Sequence, residues 1–104
     1  MIRKAFVMTL RPGAESEYER RHNPIWPELQ AVLSDHGVRS YSIFLDQQTG
    51  RLLAYAEIED EARWDAISRT EVCRRWWRSM RELMDVNADD SPATLPLREV
   101  FHLG

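Results

Sequence analysis

The order of strand and helix patterns along the chain constrains its fold more than any other feature. Each half reads as a strand, a helical stretch and a second strand, and no linker or low-complexity segment separates the halves. The predicted strands cover Ile2 to Leu10, Val38 to Leu45, Arg51 to Ile58 and Leu97 to Leu103, and the predicted helices cover Ala14 to His22, Pro24 to His36, a short piece from about Asp60 and a longer piece capped by Thr70. This β-α-β-β-α-β order is the ferredoxin-like arrangement of four antiparallel strands with the helices on one face. We therefore predict one α+β domain over residues 1–104.

Turn and capping residues mark the ends of these elements. Arg11-Pro12-Gly13 ends the first strand, and Gly37 suits the left-handed residue that stops a helix. Asp46 to Gly50 has the composition of a hairpin loop, and Thr70 is a preferred N-cap residue. Asn87 to Pro96 contains two Asp, one Ser and two Pro, and it is predicted to be a loop.

Both faces of the predicted sheet carry apolar side chains, because neighbouring residues of a strand point to opposite faces. In Val38 to Leu45, one face takes Tyr41, Ile43 and Leu45 and the other takes Val38 and Phe44. In Arg51 to Ile58, one face takes Leu52, Ala54, Ala56 and Ile58 and the other takes Leu53 and Tyr55. The helices can cover only one face, and an uncovered apolar face is not expected to remain in water. We therefore predict that a second copy packs sheet to sheet, which gives a two-fold homodimer.

Composition excludes several classes of partner. With 14 Lys and Arg against 17 Asp and Glu, the formal charge is −3, so a nucleic acid or an anionic membrane meets no evident basic surface. The single cysteine, Cys73, rules out an internal disulfide and fits a reducing compartment. It lacks the partner residues of a thiol enzyme, so we expect a small buried apolar side chain. No stretch approaches the ~20 apolar residues of a membrane span. We expect a cytoplasmic protein without nucleic-acid or membrane partners.

A helix break beside a histidine is the most informative chemical feature of the chain. Tyr18 and His22 are four residues apart, so they share one face of a helix. Pro24 lacks an N–H and pushes Asn23 out of the helical region, so the helix is expected to kink or stop directly after the histidine. This places an imidazole near a helix end beside a phenol, with Trp26 just past the break. His22 is therefore either a proton-transferring group or a half-buried corner residue.

The aromatic residues are the second chemical signal. The longer helix carries an apolar stripe of Val72, Trp76, Met80, Leu83 and Met84. Trp76 and Trp77 are adjacent and point about 100° apart, so we expect one of them to fill the core and the other to line a cavity wall. Trp64, at helical spacing from Ile67, is expected in the core. Indole and phenol rings suit the apolar face of a sugar, and their polar tips bind hydroxyls, so a sugar site requires several rings to converge with His22.

Other patterns narrow the chemistry. The chain has no glycine-rich phosphate loop, His-x-x-x-His pair or paired-cysteine pattern, so we expect no metal and no nucleotide cofactor. His36 beside Gly37 is typical of a helix end, and His102 lies on the last predicted strand without suggestive neighbours. Asp89 to Ser91 is predicted to be a solvated turn, within a loop long enough to close over a site.

The chain resembles the L-rhamnose mutarotase family. Four segments carry the resemblance: Tyr18 to Leu29, Val72 to Trp77, Asn87 to Pro92 and Glu99 to Phe101. It covers essentially the whole chain, and its first motif is quite specific. The resemblance implies a dimeric α/β barrel of ferredoxin-like subunits that interconverts the α and β anomers of L-rhamnose without a cofactor. It also implies that His22 is the proton donor and that Tyr18, Tyr41, Trp76 and Trp77 bind the sugar.

The implied reaction moves protons only. A proton leaves the anomeric hydroxyl, another reaches the ring oxygen, the open aldehyde turns about its C1–C2 bond, and the ring closes on the other face. His22 must be protonated when it acts as the acid, and a helix C-terminus is expected to favour that charged form. The sequence leaves the base open among a tyrosine, a carboxylate such as Glu28, and a water molecule.

Two other classes of protein are compatible with the predicted fold. A cofactor-free or haem-degrading monooxygenase can use the same barrel with a histidine and a hydrophobic cavity. A non-catalytic small-ligand-binding dimer is favoured if His22 is buried and hydrogen-bonded only to backbone. A mainly aliphatic cavity favours the monooxygenase, whereas a rim of hydroxyls and indoles favours a sugar enzyme.

Overall fold

Strands and helices follow one another in the predicted order. A computed structural model describes all 104 residues. Its elements are β1 (Ile2–Thr9), α1 (Glu15–Arg21), α2 (Pro27–Asp35), β2 (Val38–Asp46), β3 (Arg51–Ile58), α3 (Glu61–Ile67), α4 (Glu71–Met80) and β4 (Leu95–Leu97). The strands form one antiparallel sheet in the order β2-β3-β1-β4, with β1 and β3 as the central pair. The ferredoxin-like fold is confirmed.

The helices cover one face of the sheet and leave the other face open. On the helix side of β3, Leu52, Ala54, Ala56 and Ile58 are at most 2% exposed. On the open side, Phe44 is 62% exposed, Leu53 43% and Leu95 62%. These three side chains fall in one row across the sheet, because Leu53 pairs with both Phe44 and Val7, and Val7 pairs with Leu95. The uncovered apolar face that the sequence predicts is present.

The last strand lies earlier in the chain than predicted. β4 covers Leu95–Leu97 rather than Leu97 to Leu103, and it pairs with β1 at the edge of the sheet. The sequence places Pro96 in a loop, but an edge strand tolerates proline because one side of its backbone has no strand partner. The residues after β4 have no regular structure, and Arg3 holds Glu99 through two hydrogen bonds of 2.7 and 3.0 Å.

Three further boundaries differ from the prediction. α2 begins at Pro27 rather than Pro24, since proline fits the first turn of a helix and the residues before it form the connecting turn. Val38 is buried on the helix side, because a register shift between Val38 and Ser40 turns it away from the open face. α4 ends at Met80, although the next two stripe residues, Leu83 and Met84, remain buried in the turn that follows.

Capping residues fix the starts of the two helices in the second half. Thr70 caps α4 as predicted, since its hydroxyl accepts a hydrogen bond of 3.2 Å from the N–H of Cys73. Asp60 caps α3 in the same way and accepts a hydrogen bond of 2.8 Å from the N–H of Arg63. None of the helices has the length and apolar composition needed to cross a bilayer.

Two apolar clusters anchor the helices, and a cavity remains between the helices and the sheet. One cluster contains Met8, Leu10, Ala14, Tyr18, Leu52, Ala54, Met80, Leu83 and Met84. The other contains Val38, Ala56, Ile58, Ile67 and Cys73. The cavity has a volume of about 1140 Å³ and is lined by members of both clusters. It is large enough for a small organic ligand.

Candidate active site

The cavity brings the five predicted site residues together. His22, Tyr18, Tyr41, Trp76 and Trp77 all line it, although they come from α1, β2 and α4. Apolar side chains form most of its wall, and a smaller number of charged and hydroxyl-bearing side chains complete it. A mainly apolar cavity with a few polar groups is the usual form of a small-molecule site.

The helix break positions His22 as the sequence predicts. α1 ends at Arg21, and His22 is its C-cap residue. Asn23 closes the turn, because its side-chain amide donates a hydrogen bond of 2.9 Å to the carbonyl of Glu19, and the Asn23–Pro24 peptide bond is cis. The imidazole therefore leaves the end of a helix beside the cavity, half-buried.

Hydrogen bonding assigns different roles to the two ring nitrogens of His22. Nδ1 lies 2.8 Å from the carbonyl oxygen of Tyr18. A carbonyl can only accept, so Nδ1 carries the hydrogen and donates it. Nε2 makes no hydrogen bond within the protein and remains free to exchange a proton. His22 therefore bonds only to backbone, as His36 does, and it differs from His36 in that its ring lines the cavity.

Two aromatic rings enclose the imidazole. Its ring centre lies 4.3 Å from that of Tyr18, at an interplanar angle of 34°, and 5.1 Å from that of Trp76, which meets it edge-on at 89°. Trp26 meets the other part of Trp76 edge-on at 5.1 Å, and the guanidinium carbon of Arg75 lies 5.8 Å from the centre of the Trp26 ring. Trp26 does not line the cavity, and its aromatic contact is with Trp76.

Burial decides the protonation of His22. Burial lowers its pKa below the ordinary value of 6.5, while the hydrogen bond to the Tyr18 carbonyl raises it by less. The expected effect of the helix end is present, since the Tyr18 carbonyl raises the pKa, but desolvation by burial outweighs it and the net pKa is lowered. At neutral pH the neutral form with a free Nε2 predominates.

The two tyrosines of the site keep their protons. Burial raises the pKa of Tyr18, which is 8% exposed, well above its ordinary value. Burial also raises the pKa of Tyr41, which lines the cavity. Both phenols are therefore hydrogen-bond donors at neutral pH and poor bases.

Both adjacent tryptophans line the cavity, so the expected division into one core ring and one wall ring is not found. Trp76 packs on the cluster that contains Tyr18, and Trp77 packs on the cluster that contains Cys73. Burial raises the pKa of the Cys73 thiol to about 11, which agrees with the small buried apolar residue that the sequence predicts.

Sequence reasoning missed several residues of the cavity. Trp64 packs on the core cluster of Ile67 and Cys73, as predicted, but it also lines the cavity, with its ring centre 5.9 Å from that of Tyr41 and 6.3 Å from that of Phe6. Lys4 and Glu61 also line it and form an ion pair. These residues are distant from one another in sequence. The only local signal is the helical spacing of Trp64 from Ile67, and that spacing does not distinguish a cavity residue from a core residue.

The loop before β4 reaches the cavity, as its length suggested. Asn87, Asp90 and Ser91 line it. The loop is tightly bonded, since Asn87 donates to Ser91 from both its backbone N–H and its side-chain amide, and Arg81 donates to Asp90 at 3.2 Å. By contrast, Glu28 is exposed and does not line the cavity, so this suggested base has no access to the site.

The remaining histidines lie outside the cavity. His36 bonds the Val32 carbonyl through Nδ1 at 2.7 Å and caps α2, as expected for a helix end. His102 is exposed beyond β4. No three His, Cys, Asp or Glu side chains converge as metal ligands would.

A half-buried imidazole with one free nitrogen, beside a cavity lined by indoles and phenols on a ferredoxin-like fold, is typical of an enzyme that acts on a small molecule by acid–base chemistry. Comparison with known proteins identifies the family. The L-rhamnose mutarotase family model matches residues 3–103, so the chain belongs to the L-rhamnose mutarotase family.

Individual relatives agree with this assignment. An L-rhamnose mutarotase of Klebsiella pneumoniae is 60% identical over 103 residues, which are 99% of this chain and 99% of the relative. The crystal structure of an L-rhamnose mutarotase from Formosa agariphila matches with a TM-score of 0.92 at 38% identity, covering 100% of both chains. The crystal structure of an antibiotic biosynthesis monooxygenase matches with a TM-score of 0.64 at 18% identity, covering 96% of this chain and 99% of its own. The last similarity shows a shared fold alone.

Proposed function

We propose that this protein interconverts the α and β anomers of L-rhamnose by proton transfer at His22, without a cofactor. The free Nε2 of a half-buried imidazole, in a cavity lined by indoles and phenols, is the observation that carries the proposal. The family match over residues 3–103 supports L-rhamnose as the substrate.

In ring opening, protonated His22 donates its Nε2 hydrogen to the ring oxygen as the bond from that oxygen to C1 breaks. A base takes the proton of the C1 hydroxyl, and the resulting aldehyde rotates about the C1–C2 bond. In closure, the C5 hydroxyl attacks the other face of C1 and returns its proton to Nε2, while the C1 oxygen takes back the proton held by the base. The lowered pKa makes the imidazolium a stronger acid and leaves the neutral ring ready for closure.

The base is a carboxylate of the cavity or a water molecule. Tyr18 and Tyr41 are disfavoured because burial raises the pKa of each phenol. Glu28 is disfavoured because it does not line the cavity. The carboxylates of Glu15, Glu19 and Asp90 line it and are the candidates, whereas the carboxylate of Glu61 is paired with Lys4 on a wall away from His22.

The aromatic residues bind the sugar in this proposal. Trp76 and Trp77 pack on the apolar face of the ring or on its C6 methyl group, and their indole N–H groups reach its hydroxyls. Tyr18 and Tyr41 donate hydrogen bonds to hydroxyls, since both phenols stay protonated.

The test is anomeric exchange of L-rhamnose measured by saturation-transfer NMR. Saturating the C1 proton of one anomer should reduce the signal of the other in proportion to protein concentration, beyond the exchange in buffer alone. No increase over buffer at any protein concentration would refute the proposal.

We also propose that the chain forms a homodimer through its open sheet faces. Phe44, Leu53 and Leu95 form an exposed apolar row there, and such a surface is the usual mark of an interface. The interface is expected to exceed ~1,600 Å², the standard size for a stable complex. Sedimentation at micromolar concentration should show a dimer, and Leu53→Glu should dissociate it. A stable wild-type monomer would contradict this proposal.

A further inference from the structure

One wall of the cavity contains an ion pair and a tryptophan that proton transfer at His22 does not use. Nζ of Lys4 lies 2.9 and 3.2 Å from the two carboxylate oxygens of Glu61. Both residues line the cavity, with side chains 29% and 52% exposed. Trp64 lies three residues after Glu61 and stands over Phe6 and Tyr41. The pair and the ring together present charged, hydrogen-bonding and aromatic groups to one space.

Sheet register and helix spacing place these groups on the same side. Lys4 and Tyr41 both pair with Ala56, one from each neighbouring strand, so they flank it on the cavity face about 10 Å apart. Glu61 and Trp64 share one face of α3 because they are three residues apart. The wall therefore spans from β1 to β2 with α3 above it.

This wall lies toward the opposite end of the cavity from the proton-transfer group. Lys4, Phe6 and Met8 follow one another on the cavity face of β1, and Lys4 is about 13 Å from Met8 along the strand. Met8 packs in the cluster with Tyr18, whose ring contacts His22. The wall is therefore open to those parts of a ligand that are remote from a reacting carbon at His22.

We propose that Lys4, Glu61 and Trp64 bind the hydroxyl-bearing carbons of the sugar away from C1 and thereby select the substrate. An ammonium has three N–H donors and a carboxylate has about four acceptor sites, so the pair keeps groups free for neighbouring hydroxyls. The indole ring of Trp64 offers a flat apolar surface to the C–H face of the same sugar. This inference rests on the proposed function, since it assigns the remaining wall of that site.

The first test compares Lys4→Met and Glu61→Gln with the wild type. Hydrogen bonds to charged groups are worth enough to raise KM for L-rhamnose about ten- to hundredfold, while kcat stays within about threefold. The matched control is the ion pair of Arg39 and Glu59, which is exposed to a similar degree but does not line the cavity. Arg39→Met and Glu59→Gln should leave KM unchanged. Unchanged KM in both cavity variants, or a loss confined to kcat, would overturn the proposal.

Swapping the two charges distinguishes a role in sugar binding from a purely structural role of the ion pair. The double variant Lys4→Glu with Glu61→Lys restores an ion pair but reverses the positions of donor and acceptor. Its melting temperature should match that of the wild type, and its KM should remain raised. Recovery of the wild-type KM in this variant would show that the pair only holds α3 to β1, which would overturn the proposal.

Analogues identify the hydroxyls concerned. The wild type should lose affinity for an analogue of L-rhamnose that lacks the 2-, 3- or 4-hydroxyl bound by the pair, and Glu61→Gln should lose that preference. Binding is followed through the ¹⁵N indole signal of Trp64, so this arm does not depend on turnover. If the sugar shifts the Trp64 signal but its anomers do not exchange, the proposed function is refuted and the binding role of this wall is not. An unshifted signal, or equal preferences in wild type and variant, would overturn this inference.

Discussion

Replacing His22 with asparagine tests the assignment of the proton-transfer group most directly. Asparagine keeps a similar polar shape and removes the titrating ring, while Tyr18, Tyr41 and Trp76 remain to hold the sugar. Proton transfer by a positioned side chain contributes about 10²–10⁴-fold to a rate, which corresponds to roughly 3–5 kcal/mol of barrier. We therefore expect His22→Asn to bind L-rhamnose nearly as well as the wild type. It should catalyse the exchange of anomers about 10²–10⁴-fold more slowly.

The assay must separate enzyme from water, because mutarotation also proceeds in buffer. Saturation-transfer exchange rates are measured at several protein concentrations, and the slope gives the catalysed rate free of the background. His36→Asn is the matched control, since His36 also caps a helix and bonds a carbonyl four residues back through Nδ1, but it lies outside the cavity. Its slope should equal that of the wild type.

The pH dependence of the catalysed rate shows whether His22 acts as the proton donor or as the base. A proton donor must be protonated, so the catalysed rate should fall as pH rises through the pKa of His22. Burial lowers that pKa below 6.5, so the midpoint should lie below 6.5 and the limb should be absent in His22→Asn. A rate that rises through this midpoint would make the imidazole the base. If His22→Asn retains wild-type exchange with the same pH profile, His22 is a structural corner residue and the reasoning is refuted.

Three further outcomes are expected. Trp76→Ala and Trp77→Ala should each weaken the affinity for L-rhamnose. Each should lower the free energy of unfolding by less than the ~3–5 kcal/mol expected for a fully buried ring, since both side chains are half-buried. Unchanged affinity in both variants, with equal falls in melting temperature, would contradict packing of these rings on the sugar. Thr70→Ala should lower the free energy of unfolding in urea by about 1 kcal/mol through loss of the α4 cap, whereas Thr70→Ser should not. Because the pKa of His22 is lowered in the folded protein, the unfolded chain binds more protons than the folded one between that pKa and 6.5. The contribution of His22 to stability is therefore complete above pH 6.5 and is lost as pH falls through this window. The melting temperature of His22→Asn should fall less than that of the wild type over the same window, and an equal fall would contradict the lowered pKa.

The sequence was sufficient for the fold because the order of elements depends on local signals. Strand alternation, the turn at Gly13 and the cap at Thr70 each act within a few residues, so they can be read without knowing the tertiary structure. β4 is the exception. Its three residues pair with β1 across the whole chain, and Pro96 gives a local signal for a loop that the edge position overrides.

The site could be predicted only in part for the same reason. Pro24 marks the helix end locally, so the position of His22 follows from the sequence. Helical spacing shows that Trp64 and Trp76 face inward, but it does not show whether they meet side chains or an empty space. The ion pair joins Lys4 and Glu61, which are 57 residues apart in sequence, and no local pattern predicts such a contact.

The pKa of His22 shows how a correct local effect is outweighed by a distant one. The carbonyl of Tyr18 does raise the pKa, as a helix end should. Trp76 is distant in sequence and reaches the imidazole only through the packing of α4 near α1, and its ring removes solvent from the charged form. Desolvation is the larger contribution, so the net direction depends on a contact that the sequence does not specify.

Short helices explain why this fold keeps a cavity and where its chemistry lies. The four helices contain 7 to 10 residues, so each is only about 10–15 Å long at 1.5 Å per residue. The central strands contain 8 residues and extend for about 26 Å, so no single helix covers the sheet and each half uses two helices with a break between them. The break after α1 leaves His22 at a helix end beside the cavity, and the start of α3 leaves Glu61 there. Extending α1 through Pro24 would cover more of the sheet but would remove the helix end that carries the imidazole, so the same break provides both the space and the position of the proposed proton-transfer group.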